Sequence, residues 1–175
     1  INPDPLKEII EFTDAWNVDL KSWSGDFYSK HCSGDRDTVL NTLETLANSK
    51  CHLEITFLVI PEENDDPAEW KEMAKWISEH CGDDTVLHIS RYFPRYKLRQ
   101  QPTPLDTLLS ARDTFSEKLK HVYIGNVATP ESNTLCPECG AICIERTGWQ
   151  VNTKGMEQGR CSSCGHELNI VDEIR

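Results

Sequence analysis

The sequence predicts an α/β fold with parallel strands, followed by a small cysteine-rich module. Three observations predict it. Four β-rich runs recur along residues 1–130, helical patterns occupy the segments between them, and five of the eight cysteines crowd into residues 136–164. A strand–helix–strand succession indicates right-handed crossovers, which join neighbouring parallel strands.

Composition sets the class of protein. The chain has 175 residues, 38% hydrophobic and 27% charged, as in soluble globular proteins with one domain and a small appendage. No apolar run approaches the roughly 20 residues of a membrane helix, and no signal peptide opens the chain, so we expect a cytoplasmic protein without a membrane partner. Because 18 basic and 29 acidic residues give a net charge of −11, nucleic acid is disfavoured as the main partner.

The predicted strands cover residues 15–20, 52–60, 85–91 and 121–125, and each alternates apolar with polar side chains. A strand buried on both faces of a parallel sheet would be apolar throughout. We therefore expect helices to cover one face, while the polar face lines a shared concavity or, alternatively, meets solvent. Four strands cannot close a barrel, which needs about eight to be filled, so the sheet is open or is part of a larger one.

Helices are predicted between the strands from apolar spacing and capping signals. Asp66 and Pro67 begin one helix, Thr103 as N-cap and Pro104 at the first helical position begin another, and a third follows Asp37.

Two Cys-x-x-Cys-Gly knuckles at residues 136–140 and 161–165 are typical of a zinc ribbon. Each knuckle turns two thiolates toward one ion, and the following glycine permits a positive φ. Four thiolates close a tetrahedral structural site, so zinc is predicted within a module of residues 131–175. The alternative is a pair of disulfides in a secreted domain. Cys143 is left over as a buried apolar residue. The predicted ligands are Cys136, Cys139, Cys161 and Cys164.

Several strings together resemble a known family. They are NVDLK at 17–21, LEITFLVIP at 53–61, HISRYFPRYK at 88–97, YIGN at 123–126 and CPECG at 136–140. In order and spacing they are similar to the pyruvate formate-lyase-activating branch of radical SAM enzymes, in the subfamily called the AmmeMemoRadiSam system radical SAM enzyme. The resemblance covers nearly the whole chain.

The resemblance implies that residues 1–130 form the C-terminal portion of a partial (β/α)6 TIM-like barrel. It implies a four-iron, four-sulfur (4Fe-4S) cluster and S-adenosylmethionine, which together yield a 5′-deoxyadenosyl radical that abstracts hydrogen from a partner protein or substrate. Asp19 and Lys21 would contact the amino acid end of S-adenosylmethionine, or else form only a surface ion pair. The other implied cofactor-binding residues are Thr56, Ser90 and Tyr92.

The family's cluster loop, C-x3-C-x2-C, belongs to an N-terminal half that this chain lacks. We therefore expect the missing half to be its partner, the cluster ligands and catalytic residues to lie outside the chain, and the chain alone to be inactive. Phe93 stands where related enzymes have a histidine, which leaves that side chain without the family's contact. His88 faces the concavity by alternation, either as a structural residue or as part of a site.

Two other classes of function compete with this hypothesis. The basic, aromatic stretch 91–99 is typical of a solvated loop, and alternatively of a surface for nucleic acid or an acidic partner protein. With the ribbon it would make a non-catalytic module that binds protein or RNA. A complete small hydrolase is disfavoured, because the sequence has no nucleophile elbow and no P-loop.

Overall fold

A computed structural model describes residues 1–148, 150–168 and 170. Its main element is a parallel sheet of four strands in the order β1-β2-β3-β4. The strands are β1 (Ala15–Asp19), β2 (His52–Val59), β3 (Val86–Arg91) and β4 (His121–Gly125). The predicted α/β class with parallel strands is therefore confirmed, with strand ends that agree to within one residue.

The helices are α1 (Pro3–Ile10), α2 (Gly25–Phe27), α3 (Arg36–Ala47), α4 (Pro67–His80) and α5 (Leu105–Ser116). A π-helical turn, Tyr28–Cys32, directly follows α2. Helix α1, which was not predicted from the sequence, begins at a proline and buries Leu6 in the core of the sheet region. In the part of the chain that the structure describes, no helix is long and apolar enough to cross a bilayer.

Two helix starts show where the capping signals succeeded and failed. Asp66 caps α4, because its carboxylate accepts a hydrogen bond from the Ala68 amide at 2.8 Å. Thr103, predicted to cap α5, does not: the N-cap is Pro104, without a side-chain bond. The Thr103 hydroxyl instead donates to the Val59 carbonyl at 2.7 Å and accepts from the Tyr92 amide at 2.9 Å. It therefore joins the ends of β2 and β3.

One face of the sheet forms the hydrophobic core with α1, α3, α4 and α5. The alternate residues of β2 that face these helices are fully or nearly fully buried. The largest side chains in this core are Trp70, Phe57 and Phe115, and the last two pack with ring centroids 5.8 Å apart. Burial of large apolar side chains at roughly 1.5–3 kcal/mol each is the main stabilisation of this region.

The C-terminal region is built from short antiparallel strands. They are β5 (Thr134–Leu135), β6 (Ile142–Thr147), β7 (Gln150–Asn152), β8 (Met156–Glu157) and β9 (Arg160–Cys161). Its buried cluster consists of three cysteines and Leu168. Gly155 lies so close to β6 that an added Cβ would be 1.9 Å from the Ile142 carbonyl oxygen, which only glycine permits. Residues 171–175 of the predicted module lie outside the described residues.

Candidate functional site

A hydrogen-bonded row of polar side chains crosses the face of the sheet opposite the core. The strand register sets Glu54 beside Asn17, and Thr56 beside His88. The Thr56 hydroxyl donates to Asn17 Oδ1 at 2.8 Å, and His88 Nε2 lies 3.0 Å from Glu54 Oε2. His52 Nε2 lies 3.4 Å from the other Glu54 oxygen. The alternating polar residues of the sequence thus form one connected network.

Glu54 is the charge centre of this network. The hydrogen bond from His88 lowers the pKa of Glu54 from 4.5 to about 2, against partial burial, which raises it. The carboxylate is therefore ionised at neutral pH and only accepts hydrogen bonds. It follows that His88 Nε2 carries the hydrogen of this pair. Alternation predicts that His88 lies on this face, but only the structure identifies Glu54 as its partner.

Asp19 and Lys21 lie at the carboxyl end of β1, where they form an ion pair with Asp19 Oδ1 2.8 Å from Lys21 Nζ. Both remain accessible, with 54% and 35% of their side-chain surfaces exposed. The Lys21 amide donates to the Tyr28 hydroxyl at 2.9 Å, and burial raises the pKa of Tyr28 to about 12. A neutral phenol therefore holds the backbone at the site of the ion pair.

The three other predicted binding residues occupy different environments. Thr56 and Ser90 are half-buried on the polar face. Tyr92 is buried against Phe27 and Ile60, beyond the end of β3. Among the described residues, the Tyr92 hydroxyl has no hydrogen-bond partner. A buried hydroxyl without a partner is costly in a protein interior, so this atom is suited to meet a ligand or water.

A second set of bonds fixes the loops around the ion pair. The buried side chain of Asn64 donates to the Lys21 carbonyl at 2.7 Å and to the Leu58 carbonyl at 2.9 Å. Glu63 beside it accepts from Lys30 at 3.0 Å and pairs with His31 at 2.7 Å. Neither residue was identified as a site residue from the sequence.

The four predicted cysteine ligands converge on one point. Their Sγ atoms all lie within 4.8 Å of one another. Cys136 and Cys164 Sγ are 3.6 Å apart, and Cys139 and Cys161 Sγ are 3.7 Å apart. These separations exclude disulfides, whose sulfurs are about 2.05 Å apart. A tetrahedral ion with bonds of about 2.3 Å sets its sulfurs about 3.8 Å apart, so the arrangement can hold a metal ion.

The backbone has the same hydrogen bond and the same positive φ at glycine in both Cys-x-x-Cys-Gly knuckles. Gly140 donates to the Cys136 carbonyl at 2.9 Å, and Gly165 to the Cys161 carbonyl at 2.8 Å, both glycines having positive φ. Amides of Cys164 and Ser163 lower the pKa of Cys161 to about 6, which favours the thiolate that binds metal. Burial raises the pKa of Cys143 to about 12, which fits its predicted place as a buried, unligated residue.

A cleft of about 550 Å³ separates the polar end of β4 from the C-terminal region. Arg146 lies over the Tyr123 ring, with its guanidinium carbon 5.5 Å from the ring centroid. Its Nη1 donates to the Ser132 carbonyl at 2.9 Å and to the Thr134 hydroxyl at 2.8 Å. Arg146 was not identified from the sequence, because it contacts Tyr123 only once the C-terminal region has packed against β4.

No protein-family model matches the chain. The chain is 39% identical over 178 aligned positions to the uncharacterized protein MJ0808 of Methanocaldococcus jannaschii. The alignment covers 98% of this chain and 52% of MJ0808, so the chain spans about half the length of that relative.

A solved structure shares the fold. The chain is similar to a domain of a pyruvate-formate lyase-activating enzyme from Bacteroides vulgatus, with a TM-score of 0.63 and 15% identity. The match covers 71% of this chain and 75% of that domain. At this identity the likeness concerns the fold alone: a mixed α/β arrangement with a four-stranded parallel sheet, found also in a domain of an activating enzyme.

Proposed function

We propose that this chain is the C-terminal part of a radical SAM enzyme that resembles pyruvate formate-lyase-activating enzymes. The observation that carries the proposal is the fold that this chain shares with a domain of such an enzyme. In this chain Asp19 ends β1 and Lys21 lies just beyond it, paired with Asp19. Ligand sites of parallel α/β folds lie at the carboxyl ends of strands. The sheet would then be the second part of a partial (β/α)6 barrel.

The residues at this end fit an amino acid group with both charges. The Asp19 carboxylate can accept hydrogen bonds from an ammonium, and the Lys21 ammonium can donate to a carboxylate. The two ions pair with each other, with Asp19 Oδ1 2.8 Å from Lys21 Nζ. Binding of S-adenosylmethionine would replace one contact by two charge-assisted ones, and the unpaired hydroxyl of Tyr92 is a further polar atom near the strand ends.

The roles of this chain are binding and positioning. Asp19 and Lys21 orient the amino acid end of S-adenosylmethionine, while Thr56 and Ser90 line the polar face beside it. Together with a 4Fe-4S cluster, the cofactor supplies one-electron chemistry, in which a 5′-deoxyadenosyl radical takes hydrogen from a substrate or a partner protein. We assign the cluster ligands to an N-terminal half of the same barrel. By itself this chain would not catalyse the reaction.

We further propose that the four cysteines bind one structural zinc ion in a zinc-ribbon-like module. Sulfur separations of 3.6 and 3.7 Å suit a tetrahedral ion, and four protein ligands leave no open coordination position. Zinc analysis of the purified chain tests this part: one zinc and no iron per chain supports it, and a stable iron–sulfur chromophore after anaerobic reconstitution contradicts it.

The catalytic proposal is tested on a longer protein that contains an N-terminal cluster loop. After anaerobic reconstitution and reduction, we expect it to release 5′-deoxyadenosine from S-adenosylmethionine. Asp19→Asn and Lys21→Met should each raise the concentration of S-adenosylmethionine required by about tenfold or more, since each removes a charge-assisted hydrogen bond.

A matched ion pair provides the control. Lys120 and Asp83 are 3.1 Å apart and similarly exposed, but they lie at the opposite end of the sheet, where β4 begins. Lys120→Met and Asp83→Asn should leave the reaction unchanged. Absence of 5′-deoxyadenosine from a protein with a full cluster would contradict the proposed function, and equal losses in both pairs would show that Asp19 and Lys21 act only through stability.

A further inference from the structure

We infer that the cleft between β4 and the C-terminal region binds a small organic anion that also carries a hydroxyl group. The cleft encloses about 550 Å³, within the usual range of about 300–1,000 Å³ for small-molecule sites. Its described lining includes His88, Tyr123, Ser132 and Arg146 together with short and apolar residues. Nothing in the proposed cofactor or zinc sites uses these side chains.

The charge of the cleft selects an anion. Arg146 brings a guanidinium, a cationic group, to the cleft, and no carboxylate is among the described residues that line it, although the chain as a whole has a net charge of −11. Its two structural hydrogen bonds both come from Nη1. In the part of the chain described, Nε and Nη2 make no hydrogen bond, so they remain available for a carboxylate or phosphate.

The same bonds hold Arg146 in place before a ligand arrives. The contacts of Nη1 with Ser132 and Thr134, and the stacking over Tyr123, restrain a side chain that otherwise has many rotamers. Immobilising such a side chain on binding costs roughly 0.5–1.5 kcal/mol. A guanidinium fixed in advance avoids much of this cost.

His88 selects the second group of the ligand. Since ionised Glu54 can only accept, the hydrogen on His88 Nε2 is committed to the Glu54 bond at 3.0 Å. The other ring nitrogen, Nδ1, belongs to a side chain that lines the cleft. A hydroxyl suits this nitrogen because it can both donate and accept a hydrogen bond, and it is the simplest such group that a small anion carries.

Gly125 contributes the space beside these groups. An added Cβ at this position would be 3.3 Å from Ser90 Oγ, so a side chain here would crowd the polar face. Glycine therefore leaves the end of β4 open at the cleft, which Tyr123 of the same strand and Asn126 directly after it also line.

The test is a titration of the purified, isotope-labelled chain followed by two-dimensional NMR. The probes are lactate, propanoate (which lacks only the hydroxyl), sn-glycerol 3-phosphate and neutral glycerol. We expect saturable shifts of the Gly125, Asn126 and Arg146 amides with lactate or glycerol 3-phosphate, weaker binding of propanoate, and no response to glycerol. Tighter binding of lactate would identify the ligand as a hydroxy acid, and tighter binding of glycerol 3-phosphate would identify it as a phosphate ester.

Variants identify the groups responsible. Arg146→Gln should weaken binding by about tenfold or more, as expected for a lost charged hydrogen bond, whereas Arg160→Gln in the same region should not. His88→Phe should reduce the affinity for lactate to that for propanoate.

A pair of variants at Gly148 tests the inference independently, in case Arg146→Gln disturbs the fold. Gly148 lines the cleft with positive φ and open space around it, a backbone conformation that both aspartate and asparagine tolerate. Gly148→Asp should weaken anion binding by charge repulsion, and Gly148→Asn should not. The absence of saturable shifts up to about 20 mM of every anion, where a millimolar site is nearly filled, overturns the inference, as does equal binding by both Gly148 variants. The binding assay needs no cluster, so its outcome is separate from that of the proposed radical chemistry.

Discussion

The sheet region and the cysteine-rich region are stabilised by different interactions. The core of the sheet region buries twenty described apolar side chains, contributed mainly by β2, β3, β4 and four helices. From β1, Trp16 and Val18 pack against this core while partly buried. The buried cluster of the C-terminal region consists of Cys136, Cys143, Cys161 and Leu168. Two of these cysteines belong to the candidate metal site. The first region can be stable through hydrophobic burial, whereas the second has too small a core for that.

The difference extends to secondary structure. The strands of the sheet are five to eight residues long, and helices cover one face. In the C-terminal region β5, β8 and β9 have two residues each. Strands this short provide few backbone hydrogen bonds, and isolated hairpins are marginal in water. We therefore expect an ion held by the four sulfurs to stabilise this region in place of a large core.

The largest expected effect is therefore metal removal. Structural zinc contributes about 10–16 kcal/mol in zinc-finger peptides, so chelation should unfold residues 134–168 and leave the sheet folded. Two-dimensional NMR measures this as collapse of the amide signals of β5–β9, with those of β2 and β3 unchanged.

Cys161→Ser should have the same effect as chelation. Cys32→Ser is the matched control, since Cys32 is an exposed thiol outside the cluster. Retention of dispersed C-terminal signals after complete metal removal would contradict the difference between the two regions.

The next largest effect should come from the core of the sheet. Phe115→Ala removes a fully buried ring that packs against Phe57, and substitutions of this kind cost about 3–5 kcal/mol. Denaturant unfolding measures the loss, and metal analysis should find the metal content unchanged. Phe12→Ala is the control, because that ring is 87% exposed. A parallel loss of metal would show that the two regions unfold as one unit.

The smallest effect concerns the charge network on the polar face. The folded-state pKa of Glu54 is depressed from 4.5 to about 2, so the folded chain stays ionised where the unfolded chain takes up a proton. This contribution is present above about pH 4.5 and is lost as the pH falls toward 2. Because the side chain is 35% exposed, solvent screening limits it to about 1 kcal/mol.

Stability measured against pH checks this third effect. Glu54→Gln should flatten the dependence between pH 4.5 and 2, while Glu44→Gln, whose partner His80 lies at 3.2 Å on an exposed surface, should change it less. In a double-mutant cycle, His88→Gln should remove most of the effect of Glu54→Gln. Independent, additive effects would show that the 3.0 Å contact contributes nothing to stability.

Local patterns in the sequence alone were sufficient to predict the four strands, one helix cap and the cysteine cluster. Two-residue alternation predicted the four strands, because neighbouring side chains of a strand point to opposite faces. Asp66 was identified as a helix cap, since a carboxylate bonds amides only two or three residues ahead. The cysteine spacing predicted the four sulfurs that meet within 4.8 Å. In each case the signal is local: the residues concerned are a few positions apart, or one short motif occurs twice in the sequence.

Only the tertiary structure decided which distant groups meet. Thr103 joins two strand ends instead of capping α5, Glu54 pairs with His88, and Arg146 lies over Tyr123. The partners of these contacts are 11 to 44 positions apart in the chain. Their meeting depends on the register of parallel strands and on how the C-terminal region packs against β4. A sequence pattern specifies which face a side chain occupies, but the packing of whole elements specifies its neighbour.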